Sequence, residues 1–258
     1  MNQNHHGDER RQRILAAVRD GGRSDVTELA DELNVAAETI RRDLQLLEDH
    51  GLVRRTYGGA LPVEGAGYDP DLAKRALWAT GEKRRIAAAA VQLLGPAETI
   101  YLDEGYTPQL VAEELAASGR PLTVVTASIA CATALSASPE INVLQLGGHI
   151  RPTTLACADI RSLAMLQTFL FDLAILGSNG ISLDHGLTVP SLEVAAMKAA
   201  ALANARRRMF IGVHTKFGVA SFCKFADVND FESIVTDTHL STRDARLYNA
   251  VGPQVTRV

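Results

Sequence analysis

The chain has 258 residues, 47% of them hydrophobic and 22% charged, with a net charge of −4; this composition excludes a disordered or fibrous protein, and the length suits two domains. No apolar run approaches the roughly 20 residues that span a bilayer, and Met1–Asp8 holds no apolar segment of the secretory kind, so a cytoplasmic protein without membrane contact is expected. Cys131, Cys157 and Cys223 are odd in number and lack Cys-x-x-Cys spacing, which argues against a disulfide framework or a cysteine zinc site; with His5-His6 read as solvated, no metal site is expected.

In chain order, Ile14, Leu15 and Val18 give a first helical pattern. A second helix opens at Asp25-Val26-Thr27-Glu28, whose spacing predicts a capping box with Asp25 at the N-cap and Glu28 reaching back. Leu29 and Leu33 provide its apolar face, and Asn34-Val35-Ala36 predicts a tight turn into the next helix. There, at about 100° per residue, Ile40, Leu44 and Leu47 form one apolar stripe. Glu38, Arg41, Arg42, Gln45 and Asp49 fall on the far side. Gly51 is expected as a left-handed C-terminal cap, Leu52–Tyr57 as a strand, and Gly58-Gly59 as its turn.

Two helices joined by a tight turn and followed by a basic hairpin are the parts with which a winged helix-turn-helix grips duplex DNA. The expected DNA contacts are Glu38, Thr39, Arg41, Arg42 and Gln45 on the helix, and Arg54, Arg55, Tyr57, Gly58 and Gly59 in the wing. Between Met1 and Val63 eleven acidic residues outnumber nine basic ones. Attraction to phosphate must therefore be local, at Arg41, Arg42, Arg54 and Arg55, with Arg10, Arg11 and Arg13 as further contacts near the first helix.

Pro62-Val63-Glu64-Gly65-Ala66-Gly67-Tyr68-Asp69-Pro70 carries the Gly and Pro punctuation of a linker, so residues 63–79 are read as joining a DNA-binding domain over 7–62 to a second domain over 80–258. In the second domain β-rich runs alternate with helical patterns. Strands are expected at Thr99–Asp103, Leu122–Thr126, Asn142–Leu146, Leu173–Leu176, Met209–Val213 and Ile234–Thr236. Helices are expected at Lys83–Leu94, Pro108–Ala117, Ser128–Ser136, Arg161–Phe169 and Leu192–Ala205. The fold class that follows is α/β: an N-terminal winged helix-turn-helix, then a Rossmann-like, mostly parallel, doubly wound domain.

Such sheets bind ligands beyond the carboxyl ends of their strands. Asp103-Glu104-Gly105-Tyr106-Thr107, Thr126-Ala127-Ser128, Gly147-Gly148, Gly177-Ser178-Asn179-Gly180 and His214-Thr215-Lys216 occupy those ends and outline one effector site. Gly and hydroxyl residues before a helix present N–H groups to an anion, and Lys216 adds a point charge, which together suit phosphate. No Walker-type or dinucleotide-type glycine pattern calls for a nucleotide, and no cofactor is expected.

Val35-Ala36-Ala37-Glu38-Thr39-Ile40-Arg41-Arg42-Asp43-Leu44, followed by Arg55-Thr56-Tyr57-Gly58-Gly59-Ala60, resembles the DeoR family of bacterial transcriptional regulators. The resemblance continues through Glu82-Lys83-Arg84-Arg85-Ile86-Ala87, the Asp103 loop, Leu146-Gly147-Gly148, Asp172, Gly177, Gly180-Ile181, Lys198 and Lys216-Phe217-Gly218. It implies a sugar-phosphate-isomerase-like effector domain that senses a phosphorylated sugar or related metabolite, retains no catalysis, and adjusts repression of a catabolic operon. The partners implied are double-stranded operator DNA, the small effector and further copies of the chain in a homodimer or homotetramer.

The departures from the family pattern carry expectations of their own. Ala36 stands where the family usually has a capping Ser, a loss of about 0.5–2 kcal/mol, and Tyr57 where His is common. In the sensor domain Tyr106 replaces a small Ser or Thr, Ala127 replaces Asn, and Asp159 replaces Gly at the expected effector site. A bulky phenol, a lost amide and an added carboxylate disfavour the usual anion, so the effector is expected to differ from a simple sugar phosphate or to bind it weakly. Two rival readings remain. One is a constitutive DNA-binding regulator without ligand response; the other is an active isomerase with a DNA-binding appendage, using Asp103 or Glu104 as base and Lys216 to hold phosphate.

Overall fold

A computed structural model describes residues 7, 10–11, 13–18, 24–49, 52–62, 72–76 and 79–258. The chain divides into two units, Met1–Pro70 and Asp71–Val258. His5-His6, Gly51 and most of the stretch read as a linker lie outside the described residues. Within that stretch, however, Leu72–Ala76 is helical (α4) and Leu72 N donates to Thr153 O at 2.8 Å, so this part is docked on the second unit.

In the first unit, helical residues 13–18 (α1) precede a two-residue strand, Ser24–Asp25 (β1). Then come α2 (Val26–Leu33), α3 (Ala37–Asp49), β2 (Val53–Thr56) and β3 (Gly59–Pro62). Ile14, Leu15 and Val18 of α1, Leu29 of α2 and Ile40, Leu44 and Leu47 of α3 share one core. The apolar stripe of the sequence is therefore the face by which α3 is held, since burying each such side chain stabilises by about 1.5–3 kcal/mol. Asn34, at φ 51, closes α2 in the left-handed conformation that Asn tolerates, which makes the turn into α3.

The cap of α2 differs in detail from the expected box: the Asp25 carboxylate accepts from Thr27 N at 2.8 Å. Asp25 also belongs to β1, a strand too short to show a period in the sequence, which pairs with β3 in a sheet of order β1-β3-β2. That third strand explains the glycine pair. Gly58 turns the hairpin at φ +85, and a Cβ on Gly59 would lie 2.2 Å from Ser24 O; only a residue without a side chain lets β1 and β3 approach.

The second unit holds a seven-stranded parallel sheet of order β15-β14-β12-β9-β4-β5-β6, formed by Thr99–Leu102 (β4), Leu122–Thr126 (β5), Ile141–Gln145 (β6), Phe171–Leu176 (β9), Ala205–Ile211 (β12), Ser233–Thr236 (β14) and Gln254–Arg257 (β15). Short strands β7 (Ile150–Arg151) and β8 (Ala156–Cys157) pair with each other. The strands β10 (Gly180–Ser182), β11 (Gly186–Val189) and β13 (Cys223–Ala226) form a small antiparallel sheet. Helices α5 (Thr80–Gln92), α6 (Tyr106–Ala117), α7 (Ile129–Leu135), α8 (Ile160–Leu166), α9 (Leu192–Ala203) and α10 (Thr242–Ala250) complete the unit.

Alternate residues of the central strands enter two separate cores. Ile100, Leu102, Leu173, Ile175, Met209 and Ile211 pack with residues of α5, α6 and α7. Tyr101, Ala174, Leu176 and Phe210 pack with residues of α8, α9 and α10. Helices on both faces of a parallel sheet make it doubly wound, and β strands buried on both sides read as apolar runs.

Strand β12 begins four residues earlier than its apolar run suggests, because Arg206-Arg207-Arg208 belong to it. Arg207 donates to Leu94 O at 2.7 Å and Leu93 O at 3.2 Å, and Arg208 Nε to Leu202 O at 3.0 Å. These carbonyls terminate helices, where cations are favoured. Among the described residues no helix is long and apolar enough to cross a membrane.

Candidate nucleic-acid interface and effector site

On α3, the side chains of Glu38, Arg41 and Arg42 are 62%, 55% and 80% exposed, so the polar face looks outward as its spacing predicts. Glu38 pairs with Arg41 at 3.2 Å and with Arg42 at 3.9 Å. Exposed pairs of this kind contribute at most about 1 kcal/mol, so a phosphate or base edge displaces them at little cost. Thr39 is half-buried, and Ala36 supplies only its carbonyl to Thr39 N (2.8 Å) and Ile40 N (3.3 Å).

The wing is tied to this helix. Arg55 N donates to Glu48 Oε1 at 2.8 Å, and the Arg55 guanidinium donates to Gln45 Oε1. Two of the expected contact residues, Gln45 and Arg55, thus form one unit that fixes the strand against the helix. Tyr57, at 103% exposure, stands at the tip of the hairpin beside Gly58 and Gly59. The side chains of Arg54 and Asp49 lie outside the described residues.

The arginines near the N-terminus depart from expectation. Asp43, on α3 but only 2% exposed, accepts from Arg10 Nε at 2.5 Å, Arg10 Nη2 at 3.3 Å and Arg11 Nη1 at 3.2 Å. Arg13 lies 3.8 Å from Glu32. Arg10 and Arg11 are thus engaged in seating the recognition helix, because a carboxylate removed from water must be paired.

In the second unit the strand order reverses direction between β4 and β9, the switch point at which ligands bind in open α/β sheets. Asp103, just beyond β4 and 1% exposed, accepts from Gly177 N just beyond β9 at 2.8 Å and is ion-paired with Lys198 of α9. Lys198 is the site residue that local sequence reasoning left unassigned; its apolar, alanine-rich surroundings mark it only as a helix position. Around the carboxyl ends of the strands Glu104 Oε2, Gln145 Oε1 and Ser178 Oγ are buried without a hydrogen-bond partner among the described residues. The other oxygen of Glu104 receives Arg151 at 3.2 Å.

The remaining effector candidates divide between local and open roles. Thr126 Oγ1 accepts from Ser128 N at 3.1 Å, and Ser128 Oγ caps α7 by accepting from Cys131 N at 3.2 Å. Ala127 offers its carbonyl to Cys157 N at 3.0 Å. Cys131 is buried beside them, and burial pushes its thiol up to about 12, far from a reactive thiolate. Gly105, at φ 115, precedes Tyr106 and Thr107 at the start of α6. Gly147 and Gly148 are exposed, while Lys216 is half-buried in the turn His214–Lys216.

Two of the family departures have local partners. The Tyr106 ring packs against the α5–α6 core with Lys83 Nζ 5.6 Å from its centroid. Lys83 is itself lowered to about 8 by burial and by nearby Arg75, while its Nζ donates to Arg75 O at 2.6 Å. Asp159 caps α8: it accepts from Arg161 N and Ser162 N at 2.9 Å and from His149 N at 2.8 Å. The Ser162 and His149 N–H groups hold its carboxyl down at about 2. Its charge is therefore offset by backbone dipoles, which weakens the expectation that it repels an anion.

A family model described as the DeoR-like helix-turn-helix domain matches residues 10–64, and one described as the DeoR C terminal sensor domain matches residues 78–238. The chain belongs to the DeoR family of transcriptional regulators. This DeoR-family chain is 31% identical to the HTH-type transcriptional regulator GlpR of Haloferax volcanii, over 96% of each chain. It is 32% identical to an uncharacterized HTH-type transcriptional regulator, FruR, of Bacillus subtilis, over 92% of this chain and 93% of that one. It is 28% identical to the Glycerol-3-phosphate regulon repressor of Escherichia coli, over 87% of this chain and 88% of the relative. The first unit accordingly carries the helix-turn-helix domain of a transcriptional regulator, and the second unit its sensor domain.

Proposed function

We propose that this protein acts in the cytoplasm as a homo-oligomeric repressor of a carbohydrate or related catabolic operon, released from its operator by a small phosphorylated sugar or polyol. Residues 7–62 read DNA, the second unit from Asp71 onward binds the effector, and the stretch after residue 62 connects them. The observation that carries the effector reading is the set of buried oxygens Glu104 Oε2, Gln145 Oε1 and Ser178 Oγ at the carboxyl ends of the sheet strands, none with a hydrogen-bond partner among the described residues. Each needs a donor to offset its desolvation, and the hydroxyl groups of a polyol are donors. The start of α6 at Thr107 suits the anionic end of such a molecule, since the Tyr106 ring, expected to disfavour it, packs against the α5–α6 core.

The operator is first selected from a random duplex library, and release is then followed by fluorescence anisotropy with a panel of phosphorylated sugars and polyols. Arg42→Ala is expected to weaken operator binding at least tenfold with the fold intact, since each good base or phosphate contact contributes about 1–3 kcal/mol. If no compound of the panel releases the DNA or stabilises the chain, the effector reading fails and a constitutive regulator stands in its place. Turnover of pentose or hexose phosphates, abolished by Asp103→Asn, would instead establish an enzyme.

A further inference from the structure

Parallel strands β12 and β14 are neighbours, with Phe210 beside Ile234 and Ile211 beside Val235. Their carboxyl ends therefore deliver His214 and Asp237 to the same place, and His239 returns to it two residues later. His214 Nδ1 lies 2.8 Å and His239 Nδ1 3.0 Å from Asp237 Oδ1, with the rings 5.0 Å apart between centroids. Among the described residues this is the one group of three His, Cys, Asp or Glu side chains whose ligand atoms all converge within 4.8 Å.

We propose that His214, Asp237 and His239 form a binding site for a divalent late first-row metal ion of the zinc or cobalt kind. Two imidazole nitrogens and a carboxylate oxygen are a donor set that such ions take, leaving a fourth position for water or a ligand. Bond lengths of about 2.0–2.2 Å place tetrahedral donors roughly 3.3 Å apart, so each ring nitrogen needs to draw back from Asp237 Oδ1 by only a few tenths of an ångström. Each neutral ring keeps its proton by carrying it on Nε2, which frees Nδ1 for the ion.

The demand on Asp237 Oδ1 points the same way. Besides the two rings it accepts from His239 N at 3.0 Å, while Asp237 Oδ2 accepts from His214 N at 2.8 Å. Two ring nitrogens and the His239 N–H crowd one oxygen with two lone pairs, whereas a cation held between the rings and that oxygen leaves only the backbone N–H to be accepted. Asp237 is fully buried, and a buried carboxylate calls for a positive partner. His214 also opens the turn that carries Lys216, with Phe217 N donating to His214 O at 3.0 Å, so a bound ion stiffens that turn.

The test is titration of the chelator-treated full-length chain with Co2+, read by its visible d–d absorption. One Co2+ per chain with the strong bands of tetrahedral nitrogen and oxygen ligation, displaced by Zn2+, is expected. His239→Gln should weaken binding at least tenfold while far-ultraviolet circular dichroism stays unchanged, and a variant with both His5→Ala and His6→Ala should bind as the parent does. Paramagnetically shifted histidine resonances of the unmodified chain identify the ligands even if the His239 variant folds poorly. No stoichiometric binding, binding unaffected by His239→Gln, or a signal lost with His5 and His6 overturns the assignment and leaves a hydrogen-bonded clasp.

Discussion

Replacing Arg10 separates two roles that one arginine could play near DNA. If it seats α3, Arg10→Ala removes two of the three hydrogen bonds that described residues give buried Asp43 and leaves Arg11 Nη1 at 3.2 Å. Hydrogen bonds to charged groups contribute about 1.5–3 kcal/mol each, and the remaining guanidinium compensates in part, so a net loss of about 2 kcal/mol is expected. Asp43→Ala removes the whole arrangement. Loss of one partner of a buried pair costs about 3–5 kcal/mol. Arg10 and Arg11 keep 23% and 22% side-chain exposure, so water takes up part of their charge and the lower end of that range applies.

A unit of about 60 residues has little stability to spare, so Asp43→Ala should leave the DNA-binding transition near its midpoint at physiological temperature. The assay pairs thermal unfolding with operator affinity measured across a salt series. A phosphate contact contributes about −0.9 to the slope of log K against log salt. Arg10→Ala is expected to lower the melting temperature of the first unit and leave that slope unchanged. A slope reduced by about 0.9 with an unaltered melting temperature would refute the ion-pair role and return Arg10 to the DNA surface.

Three further substitutions probe the same framework. Ala36→Ser should stabilise the first unit by about 0.5–2 kcal/mol by restoring an acceptor at the N-cap of α3, seen as a raised melting temperature. Gly58→Ala should cost about 1 kcal/mol for its positive φ, whereas Gly59→Ala, with its Cβ 2.2 Å from Ser24 O, should break the β1–β3 pairing and abolish operator binding. The folded Asp159 carboxyl lies below its ordinary 3.8, at about 2, so its contribution is present above about pH 4 and lost as pH falls towards 2. Acid unfolding of the sensor followed by circular dichroism should therefore be shallower in that window for Asp159→Asn than for the parent.

The sequence by itself determined the elements whose causes are local. The apolar stripe Ile40, Leu44 and Leu47, the Asp25 cap and the turn at Gly58 are set by neighbours a few residues apart, as is the alternation of apolar strands with helices in the second unit. Strand ends, and hence Asp103 and Gly177 at the carboxyl edge of the sheet, followed from that alternation, whereas the pairing of β4 with β9 did not. Periodicity reports which face of an element turns inward; it does not report which charge arrives there from elsewhere. The spacing on α3 gives Asp43 no role, and its partner Arg10 comes from 33 residues away. Lys198 looked like an ordinary helix position, and it meets Asp103 across 95 residues. The tertiary structure decided these pairings, the extension of β12 through its three arginines, and the meeting of His214, Asp237 and His239, because a buried polar group is tolerable only where the fold delivers its partner.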